Sequence, residues 1–210
     1  MKMQTKVCGI TSIEQAQALD VMGVDYIGFI FYAPSKRYVL NSLSLEALAS
    51  FVPTTAKKVG VFVNEPIETI LKIVAEAKLD MVQLHGDEDA AYCEQVIKAI
   101  PVIKVFRVGA LVPNMEGFEK LANYFLFDTD SALYGGTGNH FNWEIIKNHS
   151  IALPFFLSGG IGPNDIKGLE VMKTTKAGKQ LLAVDLNSQF ETAPGIKDLE
   201  KVKTFIHAII

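Results

Sequence analysis

The sequence is short of the features that mark most specialised classes of protein. It has two cysteines, Cys8 and Cys93, in 210 residues. That is too few for a disulfide framework or a four-ligand structural zinc site, and it suits a reducing compartment. It has no block of like charge: 20 Lys and Arg are scattered among 23 Asp and Glu, for a formal net charge of -3. The electrostatic footprint of a nucleic-acid or anionic-membrane binder is therefore missing, and a small molecule becomes the default partner. No apolar run approaches membrane-spanning length, and MKMQTKVCGIT enters a strand-like segment without the apolar stretch of a signal peptide, so a cytoplasmic location is expected. No Pro/Ser-rich linker, low-complexity tract or strong internal repeat divides the chain, which predicts one domain over residues 1–210.

What is present is a regular alternation. Hydrophobic residues make up 49% of the chain, enough for a substantial buried core. Short apolar runs recur at Thr5–Gly9, Tyr26–Phe31, Lys58–Val63, Met81–Leu84, Val102–Phe106, Tyr124–Phe127, Phe155–Leu157 and Leu181–Leu186. Between them, segments such as 12–22, 66–77 and 88–100 carry apolar residues at three-to-four spacing behind residues suited to helix starts. Near-continuous apolar strands are what a parallel sheet buried on both faces requires, and the connections are long enough for right-handed crossovers. Eight such units predict a single α/β domain closed as a (β/α)8 TIM barrel. The rival, an open doubly wound sheet, would normally carry G-x-G-x-x-G after its first strand, and none follows Val7.

In such a barrel the chemistry sits where strands end, so polar residues closing apolar runs are the candidates. They are Cys8, the loop Ser35-Lys36-Arg37, Asn64, His85, Arg107, Asp128, Ser158-Gly159-Gly160 and Asp185 through Ser188. Gly-rich turns after strands seven and eight, LSGGIGP and DLNS, let backbone N–H groups approach an anion, and a short helix starting near Asn187 or Ser188 would aim its positive end there. Taken together they predict a phosphate site, although either turn alone reads equally as a tight turn. Cys8 could serve as a base if its thiol were tuned toward neutrality, against the commoner role of a buried small apolar residue, which is how Cys93 reads. Asp128 could be a general acid or a loop cap. Arg37 could hold a carboxylate bidentately or be a solvated loop charge. His85 is given no catalytic role. The glycine-rich stretch 134–138 lacks a P-loop Lys and reads as a lid over the mouth, and 173–179, KTTKAGK, reads as a solvated loop on the far face.

The segments KVCGIT, GFIFYAPSKRYV, VGVFVNE, VQLHGDE, FDT with YGGTGNHFNW, LSGGI and DLNSQFETAPGIKD, in this order from Lys6 to Asp198, together resemble the phosphoribosylanthranilate isomerase family. The resemblance implies an intramolecular aldose–ketose isomerase of tryptophan biosynthesis that rearranges N-(5-phosphoribosyl)anthranilate. It implies no cofactor and no metal, and a phosphorylated small molecule as the partner of a monomer or homodimer. By motif, Asp128 would be the general acid and Cys8 the general base. Arg37 would hold the anthranilate carboxylate, and backbone groups around Gly159, Gly160, Asn187 and Ser188 the phosphate. One position departs from the pattern: Gln189 stands where the family usually has Gly after the Asn-Ser or Ser-Ser pair. Two alternatives stay open at this point. One is another phosphosugar barrel, such as an indole-glycerol-phosphate synthase or a histidine-pathway isomerase; the other is a barrel that binds a phosphorylated ligand without catalysis.

Overall fold

The computed structural model describes residues 3–130 and 142–209; the stretch 134–138, read above as a lid, lies outside them. Eight parallel strands close into a barrel in sequence order. They are β1 Gln4–Cys8, β2 Tyr26–Ile30, β3 Lys57–Phe62, β4 Met81–Leu84, β5 Val102–Val108, β6 Tyr124–Thr129, β7 Phe155–Leu157 and β8 Leu181–Leu186. All eight expected strands are present, and β1 pairs with β8 through Lys6 opposite Asp185. A hairpin, β9 Glu191–Ala193 and β10 Ile196–Lys197, follows the last barrel strand.

The helices outside the barrel are α1 Ile13–Val21, α2 Leu45–Ser50, α3 Ile67–Ala77, α4 Ala90–Val96, α5 Glu144–Lys147, α6 Ile166–Thr174 and α7 Leu199–Ile209. Their starts are legible in the residues before them. Ser12, Ser44 and Asp89 each accept the backbone N–H three positions on, at 3.3, 3.1 and 2.8 Å, satisfying one of the donors a helix leaves unpaired. The alternation is not strict, because no helix separates β5 from β6. Residues 109–123, interrupted by Gly109, Pro113 and Gly117, turn instead and cover the barrel wall with Phe118, whose ring meets that of Phe106 edge-on at 5.5 Å. The expectation for 173–179 holds for its lysines, Lys173, Lys176 and Lys179, which are exposed, but not for all of the residues between them. Ala177 and Gly178 are buried in a 3-10 turn, Ala177–Gln180, rather than solvated.

Side chains alternate across each strand, and this parity sorts the chain into two cores. One set packs between strands and helices, from Val7 and Ile27 to Leu157 and Leu186. The other fills the barrel interior and includes Tyr26, Val59, Met81, Ile103, Val105, Leu126, Phe156 and Ala183. Above these apolar residues on the same parity come Cys8, His85, Arg107, Asp128, Ser158 and Asp185, so the strand-end candidates share one chamber. At the opposite rim, the residues just before β2, β4 and β6 each bind an N–H of the preceding strand. Asp25 accepts from Thr5 at 2.8 Å, Asp80 from Lys58 at 2.7 Å and Asn123 from Val102 at 2.9 Å.

Two carboxylates carry measurable parts of this fold. Asp20, near the end of α1, accepts the backbone N–H groups of Thr54, Thr55 and Ala56 at 2.6, 3.1 and 3.0 Å. Burial alone would push its carboxyl up, but these donors outweigh burial and hold it below its ordinary value of 3.8. A depressed folded-state value stabilises the protein above the unfolded-state pKa, and the contribution fades as pH falls through the folded value. Asp20→Asn should therefore lower unfolding free energy at neutral pH by about 1–3 kcal/mol. In urea titrations the two proteins should converge in acid below the ordinary aspartate range; a gap independent of pH would reject this account.

Asp185 grips Lys6 inside the barrel at 2.9 and 3.0 Å, both side chains being buried. Removing one partner strands the other charge in a dry interior. Lys6→Met should cost about 3–5 kcal/mol, and adding Asp185→Leu should recover much of that loss. Unfolding midpoints of the single and double variants test this, and a single variant as stable as the parent would refute it.

Candidate active site

The chamber at the C-terminal end of the strands is built in tiers. Lys6 lies one inward position below Cys8 on β1 and is fully buried, between the Asp185 carboxylate and the thiol. Burial would pull its ammonium down, yet Asp185 and Cys8 hold it above its ordinary value. Burial acts oppositely on Asp185, pushing its carboxyl up, and the contact with Lys6 opposes that shift. On β2, Gly28 faces Cys8 so closely that a methyl group there would stand 2.8 Å from the thiol sulfur. The absence of a side chain makes room for that sulfur.

Cys8 is therefore at the mouth, as expected, but in a different electrostatic state from the one expected. Burial pushes its thiol above the usual range rather than toward neutrality. Lys6 and Lys197 oppose that shift, while Asp185 adds to it. Cys93 lies in α4 against the outer core, its thiol pushed up to about 11 by burial, consistent with a packing role.

Across the chamber, Asp128 closes β6. Its Oδ1 accepts the N–H of Thr129 at 2.8 Å, and its Oδ2 lies 3.1 Å from Nε2 of His85 at the end of β4. Gln83, one inward position below on β4, places its amide nitrogen 2.8 Å from His85 Nδ1. If the amide donates, the ring proton belongs on Nε2, which lies near Asp128 without making a hydrogen bond to it. His85, given no role on sequence grounds, is thus the nearest ionisable neighbour of Asp128. Asp185 feels the charge of Asp128 as well as that of Lys6, which places the two halves of the chamber in one electrostatic field.

The other strand-end candidates divide. Gly159 and Gly160 adopt φ of +87° and +72°, a backbone that side chains other than glycine rarely take. A methyl group on Gly159 would also strike Thr129 Oγ1 at 2.4 Å. Asn187 leads into a 3-10 turn, Ser188–Phe190, in place of the expected short helix, and its Oδ1 accepts from Lys197 at 2.8 Å. Gln189 is accommodated because it faces Gly162: a methyl group there would sit 3.4 Å from its Cβ. The turns after β7 and β8 are thereby in contact. Arg37 is not a solvated loop charge. Its guanidinium is bound by Glu191, itself bound by Lys197, neither of them singled out from sequence.

Asn64 and Arg107 serve the rim. Asn64 accepts the N–H of Asp87 at 2.8 Å, and Arg107 pairs with the Asp87 carboxylate. A cleft of about 410 Å³ opens beside them between the β4 and β5 ends, but neither Cys8 nor Asp128 lines it. Among the described residues, no group of three or more His, Cys, Asp or Glu is placed to hold a metal ion, and no helix is long and apolar enough to cross a membrane.

The signal that could have found Lys6 and Gln83 is parity. Each is a polar residue at an inward position of an apolar strand, two residues below a strand-end candidate.

Comparison with known proteins bears on what this chamber belongs to. A curated N-(5'-phosphoribosyl)anthranilate isomerase of Aquifex aeolicus is 41% identical over 211 residues, covering 97% of each chain. The crystal structure of phosphoribosyl anthranilate isomerase from Thermus thermophilus superposes with a TM-score of 0.82 at 28% identity, over 98% of each chain. Another solved phosphoribosyl anthranilate isomerase, in complex with reduced 1-(o-carboxyphenylamino)-1-deoxyribulose 5-phosphate, superposes with a TM-score of 0.72 at 31% identity, over 99% of this chain and 98% of that one. The sequence pattern of N-(5'phosphoribosyl)anthranilate (PRA) isomerase matches residues 5–208, and the chain belongs to that family.

Proposed function

We infer that the protein is an intramolecular aldose–ketose isomerase that converts N-(5-phosphoribosyl)anthranilate to 1-(2-carboxyphenylamino)-1-deoxyribulose 5-phosphate, a step of tryptophan biosynthesis. Its partner is this small phosphorylated substrate, and we take it to act in the cytoplasm as a monomer or a homodimer. The observation that carries the reading is the placement of one thiol and one carboxyl, Cys8 and Asp128, on the inward parity at the ends of β1 and β6. An Amadori rearrangement needs one acid and one base around a sugar carbon, with an anchor at each end of the substrate.

Asp128 protonates the furanose ring oxygen. The bond from that oxygen to C1′ breaks as the anilino nitrogen forms a C=N bond, leaving an open-chain cationic Schiff base. Thr129 N–H fixes the carboxyl for this transfer, with the His85 ring beside it. The Cys8 thiolate then removes the C2′ proton, and the released electron pair makes the C1′=C2′ bond of a neutral enolamine. Moving a proton from the C2′ hydroxyl to C1′ gives the ketone. Asp128 has given one proton and Cys8 has taken one, so neither reductant nor oxidant is consumed. The Schiff base cation also favours the thiolate beside it, offsetting the burial that pushes the free thiol up.

At the far end, Gly159 and Gly160 with the backbone of Asn187 and Ser188 form the phosphate cradle, and Arg37 takes the anthranilate carboxylate. Among the anchors, the cradle rests on two turns in contact and Arg37 on its proximity to Cys8.

Cys8→Ala and Asp128→Asn should each lower kcat by about 10²–10⁴-fold while circular dichroism and binding of the reduced product analogue persist. Substrate fluorescence decay reads the rate, and parent-like turnover in either variant removes that residue from the mechanism. For the pH dependence, the base must be deprotonated and its thiol is raised by burial. kcat/KM should therefore still climb as pH increases from neutral toward the ordinary thiol value of 9.0. A plateau already complete in mild acid would show that the base is not this thiol.

A further inference from the structure

The hairpin that follows the barrel has no place in the chemistry above, yet it supplies the partner of the one cation assigned to the substrate's aromatic end. Glu191 opens β9, with its side chain 5% exposed. It accepts from Arg37 Nε at 2.8 Å and 3.1 Å and from Arg37 Nη2 at 2.6 Å. It also accepts from Lys197 Nζ at 2.6 Å and from the N–H of Gly195 at 3.1 Å. Lys197, on β10, is buried and reaches Asn187 Oδ1 with the same ammonium. Beneath the Arg37 stem lies Gly9, where a methyl group would stand 2.6 Å from Cδ. The arm of Arg37 therefore lies flat over the residue that follows Cys8.

A guanidinium has two edges that can take a carboxylate with two parallel N–H donors, a side edge of Nε with one Nη and an end edge of both Nη groups. Glu191 occupies the side edge. The end edge keeps Nη1, which has no partner among the described residues. We propose that Glu191, held by Lys197 and Gly195, is a positioning residue that locks Arg37 so that only its end edge is offered to the carboxylate of the substrate's aromatic ring. The proposal rests on the reading of Arg37 as that anchor. It gives the hairpin a function: it fixes the direction from which a carboxylated aminosugar can enter. It also ties that direction to Asn187 of the phosphate turn, through the shared Lys197 ammonium.

The charge count agrees. With both Arg37 and Lys197 protonated and Glu191 ionised the cluster carries a single positive charge for an incoming carboxylate; burial pulls the Lys197 ammonium below its ordinary value, and Glu191 opposes that pull. Without Glu191 the guanidinium would be free to rotate about a long flexible stem, and binding would have to order it.

The test is calorimetric binding of two compounds, the reduced product analogue named above and the same compound lacking the ring carboxylate. The parent should prefer the carboxylated compound, and Arg37→Ala should abolish that preference. Glu191→Gln should weaken the carboxylated compound by about tenfold or more, in keeping with a lost charge-assisted contact, and leave the other unchanged. In turnover the same variant should raise KM with little change in kcat. Equal weakening of both compounds would mean a merely structural role and overturn the proposal. A parent without preference would sink the Arg37 anchor itself. A preference lost in Arg37→Ala but kept in Glu191→Gln would overturn the positioning role alone. Because Glu191→Gln strips a buried ammonium of its counter-charge, a loss costly enough to prevent folding, Glu191→Asp serves beside it. It keeps the charge but is one methylene too short to hold the fork and Lys197 together. A reduced preference in that variant is expected, and a full one would overturn the proposal.

Discussion

Everything in this molecule follows from closing eight strands whose side chains alternate between two environments. The inward half of each strand has to fill a narrow cylinder, and a cylinder of this size has room for packed side chains but not for bulk water. Apolar residues such as Val59, Leu126 and Phe156 fill its lower tiers. A charge can enter only with its counter-charge, as Lys6 does with Asp185. The groups proposed to react stand at the last inward position of their strands, where the cylinder opens. Cys8 and Asp128 are thus placed by the pleat as much as by their chemistry.

The same constraint explains how far the sequence could be read. Strands were legible because burial on both faces leaves short runs of Val, Ile, Leu and Phe, and strand ends were legible because a polar residue closes each run. Cys8 and Asp128 could be placed at strand ends on that basis, and the ordered motifs identified the family. The partners of those residues were hidden for a different reason. Lys6 meets Asp185 across 179 positions, and Arg37 meets Glu191 across 154, separations set by barrel closure and by the path of the hairpin. Periodicity reports which face a residue occupies but not whom it meets there. The missing helix between β5 and β6 was obscured similarly, because the expected period ran on through a segment that Phe118 and Leu121 anchor without helical structure.

Burial has opposite effects on the two ends of the reaction. Around the thiol, the dry interior penalises the ionised base and only neighbouring cations relieve it. Around the sugar, the same dryness strengthens each interaction with the developing Schiff base. On the mechanism proposed above, the substrate supplies the charge that readies the base, while the resting protein carries a thiol that burial makes hard to ionise. A buried, protonated cysteine is also a poor target for oxidants, which react with accessible thiolates.

The three side chains at the lower rim, Asp25, Asp80 and Asn123, join β1 to β2, β3 to β4 and β5 to β6. They make the first six strands of the barrel three stapled two-strand units. Its seams run between units, so a break in the backbone between β4 and β5 severs no staple, whereas one between β1 and β2 separates a strand from the residue that holds its N–H. The molecule is divisible along some connections and not along others, and the pattern of division is written on the face that takes no part in catalysis.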